Sequence, residues 1–129
     1  MSQFVEHPRE PLRPLVDTPE ALNLCLDSLT SGKGPVAFDA ERAHGHRYWP
    51  RAYLFQIRRE GSGTWLIDPI ALKQDENTNL GRLTDACADA PWIIHAASQD
   101  LPCMMEVGIR PSVLFDTELA GRLLGAPAV

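Results

Sequence analysis

The chain has 129 residues, enough for one domain with its own core. A hydrophobic fraction of 44% and a charged fraction of 22% are ordinary for a soluble globular protein, and a net charge of −5 argues against a general polyanion binder. No apolar run approaches the length that crosses a bilayer. The opening Met1-Ser2-Gln3-Phe4-Val5-Glu6-His7-Pro8 has no basic stretch leading into an apolar one, so neither membrane association nor a signal peptide is expected.

Residues 1–14 carry three prolines and alternating charge and read as an irregular arm, with the domain proper over 15–129. Leu15-Val16 suits a short extended piece. Asp17-Thr18-Pro19-Glu20 is a helix start: a capping side chain, proline in the first turn, then an acid near the positive end of the dipole. Leu22, Leu24, Cys25, Leu26 and Leu29 form the apolar face of that helix through about residue 30. Ser31-Gly32-Lys33-Gly34 breaks it.

Pro35-Val36-Ala37-Phe38-Asp39-Ala40-Glu41 follows. It opens as an apolar run fit for a buried strand and ends in two carboxylates at i and i+2. Side chains two apart on a strand share a face, so Asp39 and Glu41 stand side by side. Two like charges on one face of a buried strand are costly. A divalent cation resolves that conflict, because hard cations take oxygen ligands. The stretch therefore reads as the start of a metal site.

The loop from Arg42 to Arg51 is basic and aromatic. Five of the twelve basic residues (Arg42, Arg47, Arg51, Arg58 and Arg59) follow the paired carboxylates, interleaved with His44, His46, Tyr48, Trp49 and Tyr53. Cations for phosphates and rings for bases, beside an acidic site, suit a nucleic-acid-processing enzyme. An ordinary solvated loop with surface arginines is the plainer alternative.

Ala52 to Arg58 reads as a strand, Gly61-Ser62-Gly63 as a turn, and Thr64 to Asp68 as the next strand, ended by Pro69. Polar residues 73–79 read as a loop and Leu80 to Ala90 as a helix. The pattern then changes to short strands alternating with helices: Trp92 to His95, helix Ser98 to Val107, Val113 to Phe115, helix Thr117 to Leu124. Alternation of this kind implies parallel crossovers. The fold class is therefore α/β, with a mixed five-stranded sheet of three antiparallel strands followed by two parallel ones.

His95-Ala96-Ala97-Ser98-Gln99-Asp100-Leu101 lies where a strand passes into a helix, the end of an α/β sheet at which ligands gather. Asp100 falls in the first helical turn, where a simple N-cap is the competing reading, with Pro102 in the tolerated first turn. Asp116 reads as a cap, and His95 as a satisfied core histidine. Cys25, Cys87 and Cys103 are odd in number and widely spaced. They read as core fillers in a reducing, cytoplasmic compartment.

Taken in order, Phe38-Asp39-Ala40-Glu41, Leu54-Phe55-Gln56-Ile57, Leu66-Ile67-Asp68-Pro69, His95 to Leu101 and Leu114-Phe115-Asp116-Thr117 resemble the exonuclease domain of ribonuclease D and its relatives in the DEDD 3′–5′ exonuclease superfamily. The resemblance runs from about residue 15 to the C-terminus. It implies a ribonuclease H-like fold with flanking helices. It implies two divalent ions, Mg²⁺ or Mn²⁺, held by Asp39, Glu41 and Asp100 as catalytic and metal-binding residues. It also implies hydrolysis of single-stranded RNA 3′ ends, tRNA precursors among them, releasing nucleoside 5′-monophosphates. Arg42, His44, Arg47, Tyr48, Arg51 and His95 are the candidate nucleic-acid-binding residues, and Asp116 matches a structural position.

One departure stands out. The family's third motif, a Tyr or His followed at the fourth position by the last metal-binding Asp, is not found after Asp116-Thr117. The sequence reads as a C-terminally truncated exonuclease domain, with weakened metal affinity and an uncovered apolar sheet face that favours self-association. A catalytically silent nucleic-acid- or partner-binding fragment is the alternative, and a DNA 3′–5′ exonuclease a further one.

Overall fold

The computed structural model describes residues 13–42, 52–95 and 97–118. Helix α1, Pro19–Thr30, starts where the sequence puts it. The Thr18 hydroxyl accepts the Ala21 N–H at 3.1 Å, and Pro19 occupies the first turn, where its missing N–H costs nothing. Leu22, Cys25, Leu26 and Leu29 are buried, whereas Leu24 is exposed, because it lies two positions from Leu22 and so off the apolar stripe.

Strand β1, Lys33–Arg42, pairs antiparallel with β2, Ala52–Glu60, which pairs antiparallel with β3, Gly63–Ile67. Gly61 and Gly63 take positive φ of 88° and 87° in the turn between β2 and β3, a conformation that favours glycine. Val16 joins the far edge through a parallel bridge to Ile67. On the other side of β1, strand β4, Trp92–Ile94, pairs parallel with it, and β5, Leu114–Asp116, pairs parallel with β4. The sheet order is β3-β2-β1-β4-β5, the mixed five-stranded arrangement that the sequence implies.

The connections depart from expectation in three places. Asp68-Pro69 not only ends β3 but also opens helix α2, Pro69–Lys73, with Asp68 accepting the Ala71 N–H at 2.9 Å. The expected helix over 80–90 is cut to α3, Arg82–Ala86. Leu80, Leu83, Cys87 and Ala90 are buried as its period demands, but of these four Leu83 alone lies within the helix; Leu80 and Cys87 fall in turns and Ala90 at a bend. Helix α4, Ala97–Glu106, begins early enough to place Pro102 in its interior, beyond the first turn. Beyond β5, residues 117–118 are helical; the rest of the expected helix to Leu124 lies outside the described residues, as does the arm to residue 12.

Every described helix feeds one core. Leu22, Cys25, Leu26 and Leu29 of α1, Leu72 of α2, Leu83 of α3, and Cys103 and Met104 of α4 join Val36, Phe38, Phe55, Ile57, Ile67, Trp92 and Ile94 of the sheet. Phe38 lies at its centre, with ring centroids 5.2 Å from Phe55 and 5.6 Å from Trp92. The three cysteines are free and buried, as fillers should be.

Candidate active site at the carboxyl end of β1

Burial alternates along β1: Val36, Phe38 and Ala40 face the core, while Ala37, Asp39 and Glu41 are exposed. The expectation that Asp39 and Glu41 share a face therefore holds. The expectation that they are buried does not. No described helix lies over their side of the sheet, so solvent meets the two carboxylates and burial exacts no cost from them.

The second acidic segment reaches the first through the backbone. Val36 donates its N–H to Pro91 O at 2.9 Å, so the amides of even-numbered β1 residues point toward β4. Strand β4 ends at Ile94, and its partner pairs on β1 are Val36 with Trp92 and Ala37 with Ile93. The Ala40 amide thus lies past the end of the parallel ladder. Asp100, in the first turn of α4, supplies the acceptor: its Oδ2 takes the Ala40 N–H at 3.3 Å. Asp100 is only 4% exposed. Its carboxylate therefore sits against the peptide that separates Asp39 from Glu41, a long-range role that a simple N-cap reading misses.

The donor chemistry suits a hard divalent ion, since all three side chains offer carboxylate oxygens. Among the described residues, however, no three of His, Cys, Asp and Glu gather closely enough to enclose one ion. Asp39 and Glu41 are a pair on the open face, and Asp100 meets the Ala40 amide between them from the β4 side.

His95 is exposed rather than a core histidine, because β4 ends at Ile94 and the chain turns there. Its Nδ1 is 3.0 Å from Thr117 Oγ1. Asp116 accepts the Glu118 N–H at 2.9 Å, the capping role expected of it. Arg42 closes β1 opposite Ala52; its side chain, together with His44, Arg47, Tyr48 and Arg51, lies outside the described residues.

Two arginines of the basic segment part ways. Arg58 is on the exposed face, in register with Ala37. Arg59 is 2% exposed and donates to Leu29 O at 3.0 Å, Gly34 O at 3.1 Å and Asp89 Oδ1 at 3.1 Å. It is a structural clamp and does not belong to a phosphate-binding patch. Sequence reasoning also passed over Gln56, which is exposed and in register with Asp39. The alternation along β2 was the available signal.

A mixed sheet of this order, with paired carboxylates on its first strand and a third met from the helix after β4, defines a nuclease-type α/β domain. Residues 14–128 match the 3′-5′ exonuclease family, and the chain belongs to that family, as a ribonuclease D-like DEDD exonuclease domain. Ribonuclease D of Zymomonas mobilis subsp. mobilis is 34% identical over 115 residues, covering 88% of this chain and 29% of that protein. A crystal structure of a protein from Bifidobacterium adolescentis superposes with a TM-score of 0.84 at 43% identity, over 92% of this chain and 28% of that one. Escherichia coli RNase D, an exoribonuclease involved in structured RNA processing, gives 0.73 at 25% identity, over 91% and 30%. The chain thus spans less than a third of the length of these relatives. Among the described residues, no helix is long and apolar enough to cross a membrane.

Proposed function

We propose that this chain carries the exonuclease site of a ribonuclease D-type 3′–5′ exoribonuclease, acting on single-stranded RNA 3′ ends such as those of tRNA precursors. The observation that carries the reading is the Asp100–Ala40 hydrogen bond, which sets the second acidic segment directly against the first. The domain is taken as residues 15–129, with 1–14 as its arm.

Asp39, Glu41 and Asp100 are the residues that would hold two ions, Mg²⁺ or Mn²⁺. When bound, such ions activate a water and stabilise charge on the attacked phosphate and the leaving oxygen. The chain's own part is positional. Asp39 and Glu41 present oxygens on the open face, where an incoming strand reaches them. Ala40 fixes Asp100 through its amide, so α4 and β1 keep a set spacing. Arg42, His44, Arg47, Tyr48, Arg51 and His95 serve the nucleotide, the cations at phosphates and the ring of Tyr48 at a base.

The test is degradation of a 5′-labelled single-stranded RNA with Mn²⁺, alongside Asp39→Ala. A ladder shortening from the 3′ end, lost in the variant, supports the proposal. No cleavage by a folded wild-type sample counts against it. That no three-ligand metal cluster stands among the described residues favours one second reading, a silent nucleic-acid-binding module. In that case RNA binding persists unchanged in Asp39→Ala. Faster shortening of a DNA end than of the matched RNA would move the substrate to DNA. Light scattering checks the expected self-association through the open sheet face.

A further inference from the structure

The carboxylate end of the sheet carries exposed polar side chains on and just beyond its strands. Asp39 pairs with Gln56 on β2. On the other side the parallel pairs end at Ala37 with Ile93, and His95 follows two residues on, in the turn after β4. Ile94 pairs with Asp116, the last pair of β4 and β5, and His95 and Thr117 each follow it by one residue. Trp92 and Ile94 face the core, while Phe115, His95 and Thr117 are exposed, as are Asp39 and Gln56. His95 and Thr117 thus leave the sheet beyond the ends of β4 and β5, and the 3.0 Å contact between His95 Nδ1 and Thr117 Oγ1 joins them.

We propose that Thr117 is a positioning residue, which holds His95 so that Nε2 carries a proton and faces the phosphate of the RNA 3′-terminal nucleotide. This rests on the exonuclease reading above. The hydrogen bond made by one ring nitrogen sets which tautomer the other presents. With the neutral ring, the Thr117 hydroxyl donates to Nδ1 and the proton resides on Nε2. With the charged ring, Nδ1–H donates to Oγ1 and Nε2 still carries a proton. The remaining arrangement, a neutral ring with Nδ1–H donating to Oγ1, turns a lone pair outward. By an arriving phosphate that lone pair is repelled, whereas an N–H is attracted. Thr117 acts on the substrate only through His95.

The test joins a spectroscopic arm to a binding arm, using the full chain. Long-range ¹H–¹⁵N spectra of the ring report the His95 tautomer in wild type, Thr117→Val and Thr117→Ser. A wild-type ring protonated at Nε2, with mixed tautomers in Thr117→Val and recovery in Thr117→Ser, is expected. Binding of a single-stranded oligoadenylate RNA in EDTA is expected to weaken about tenfold in Thr117→Val, the scale of one lost hydrogen bond. Thr117→Ser is expected to restore it, and His95→Ala with Thr117→Val to bind no more weakly than His95→Ala alone. An Nδ1–H ring in wild type, or an unchanged ring in Thr117→Val, overturns the assignment whatever the chain does with RNA. A further loss in the double variant overturns it too. A wild-type chain that binds RNA tightly but does not cleave it counts against the exonuclease reading alone. One that binds no RNA overturns the phosphate role, and the ring spectra then still decide the pairing.

Discussion

Arg58 and Arg59 are adjacent on β2 and have opposite fates. Arg58 lies on the face that also bears Asp39 and Glu41, open to solvent. Arg59 lies on the face that the helices cover, and its guanidinium ties the end of α1, the start of β1 and Asp89 together. The comparison extends to the whole sheet. One face spends its side chains on Phe38, Phe55, Trp92 and the helices packed over them. The other carries carboxylates, Gln56, Arg58 and His95, with little to gain from packing. Under the proposed function, stability and chemistry fall on opposite faces of the same strands, and substitutions one residue apart should separate them.

The largest separation is expected at Asp39 and its neighbour Phe38. Asp39→Ala removes a carboxylate from the exposed face. Exonuclease activity on a labelled RNA should fall by about a hundredfold or more, since groups that only support a metal ligand are already worth about 10- to 100-fold. The urea midpoint should hardly move, because exposed substitutions change stability by about 0.5 kcal/mol or less. Phe38→Ala reverses the result. It empties the centre of the aromatic cluster and should cost about 3–5 kcal/mol in urea unfolding, with activity lost only as the fold is lost. Equal stability losses in the two variants would break the division of faces.

The two arginines give the next pair. Arg59→Ala removes the guanidinium's bonds to the Leu29 and Gly34 carbonyls, of which Leu29 O keeps the Gly32 N–H, and should cost about 1–3 kcal/mol. Its bond to Asp89 adds little, because Asp89 is 80% exposed. Arg58→Ala should cost no more than about 1 kcal/mol, the scale of an exposed polar contact. If Arg58 meets a phosphate, the same change should weaken RNA binding and lower its salt slope by about one.

How much of this was legible beforehand depended on how local the cause was. The Asp39–Glu41 pairing follows from strand period alone, and Thr18 and Asp116 announce themselves as caps. Asp100 was found as a candidate, but its hold on Ala40 was not. That bond depends on where β4 stops relative to β1, a matter of tertiary register that no window of sequence carries. Helix α3 was overextended because Leu80, Leu83, Cys87 and Ala90 keep a helical period, which turns can also satisfy. Arg59 was placed in a basic patch because composition counts charge and not direction. On a strand, direction reverses at every residue.

The smallest effect belongs to the covered face. Burial pushes the Cys25 thiol up from 9.0 to about 12, with nearby Cys87 adding to the rise and Arg13 opposing it. The Cys87 thiol is raised as well, again chiefly by burial. A raised thiol binds its proton more tightly in the folded state. Its contribution to stability is therefore fully present below pH 9, the unfolded value, and is lost as pH rises toward about 12. Other groups titrate in that window, so the slope of one protein alone decides nothing. The difference between wild type and Cys25→Ala isolates the thiol: the variant should start less stable at pH 8 and lose less between pH 9 and 11 in urea unfolding. Parallel slopes would mean that Cys25 meets water in the folded state, and the helix-covered face would be looser than its packing indicates.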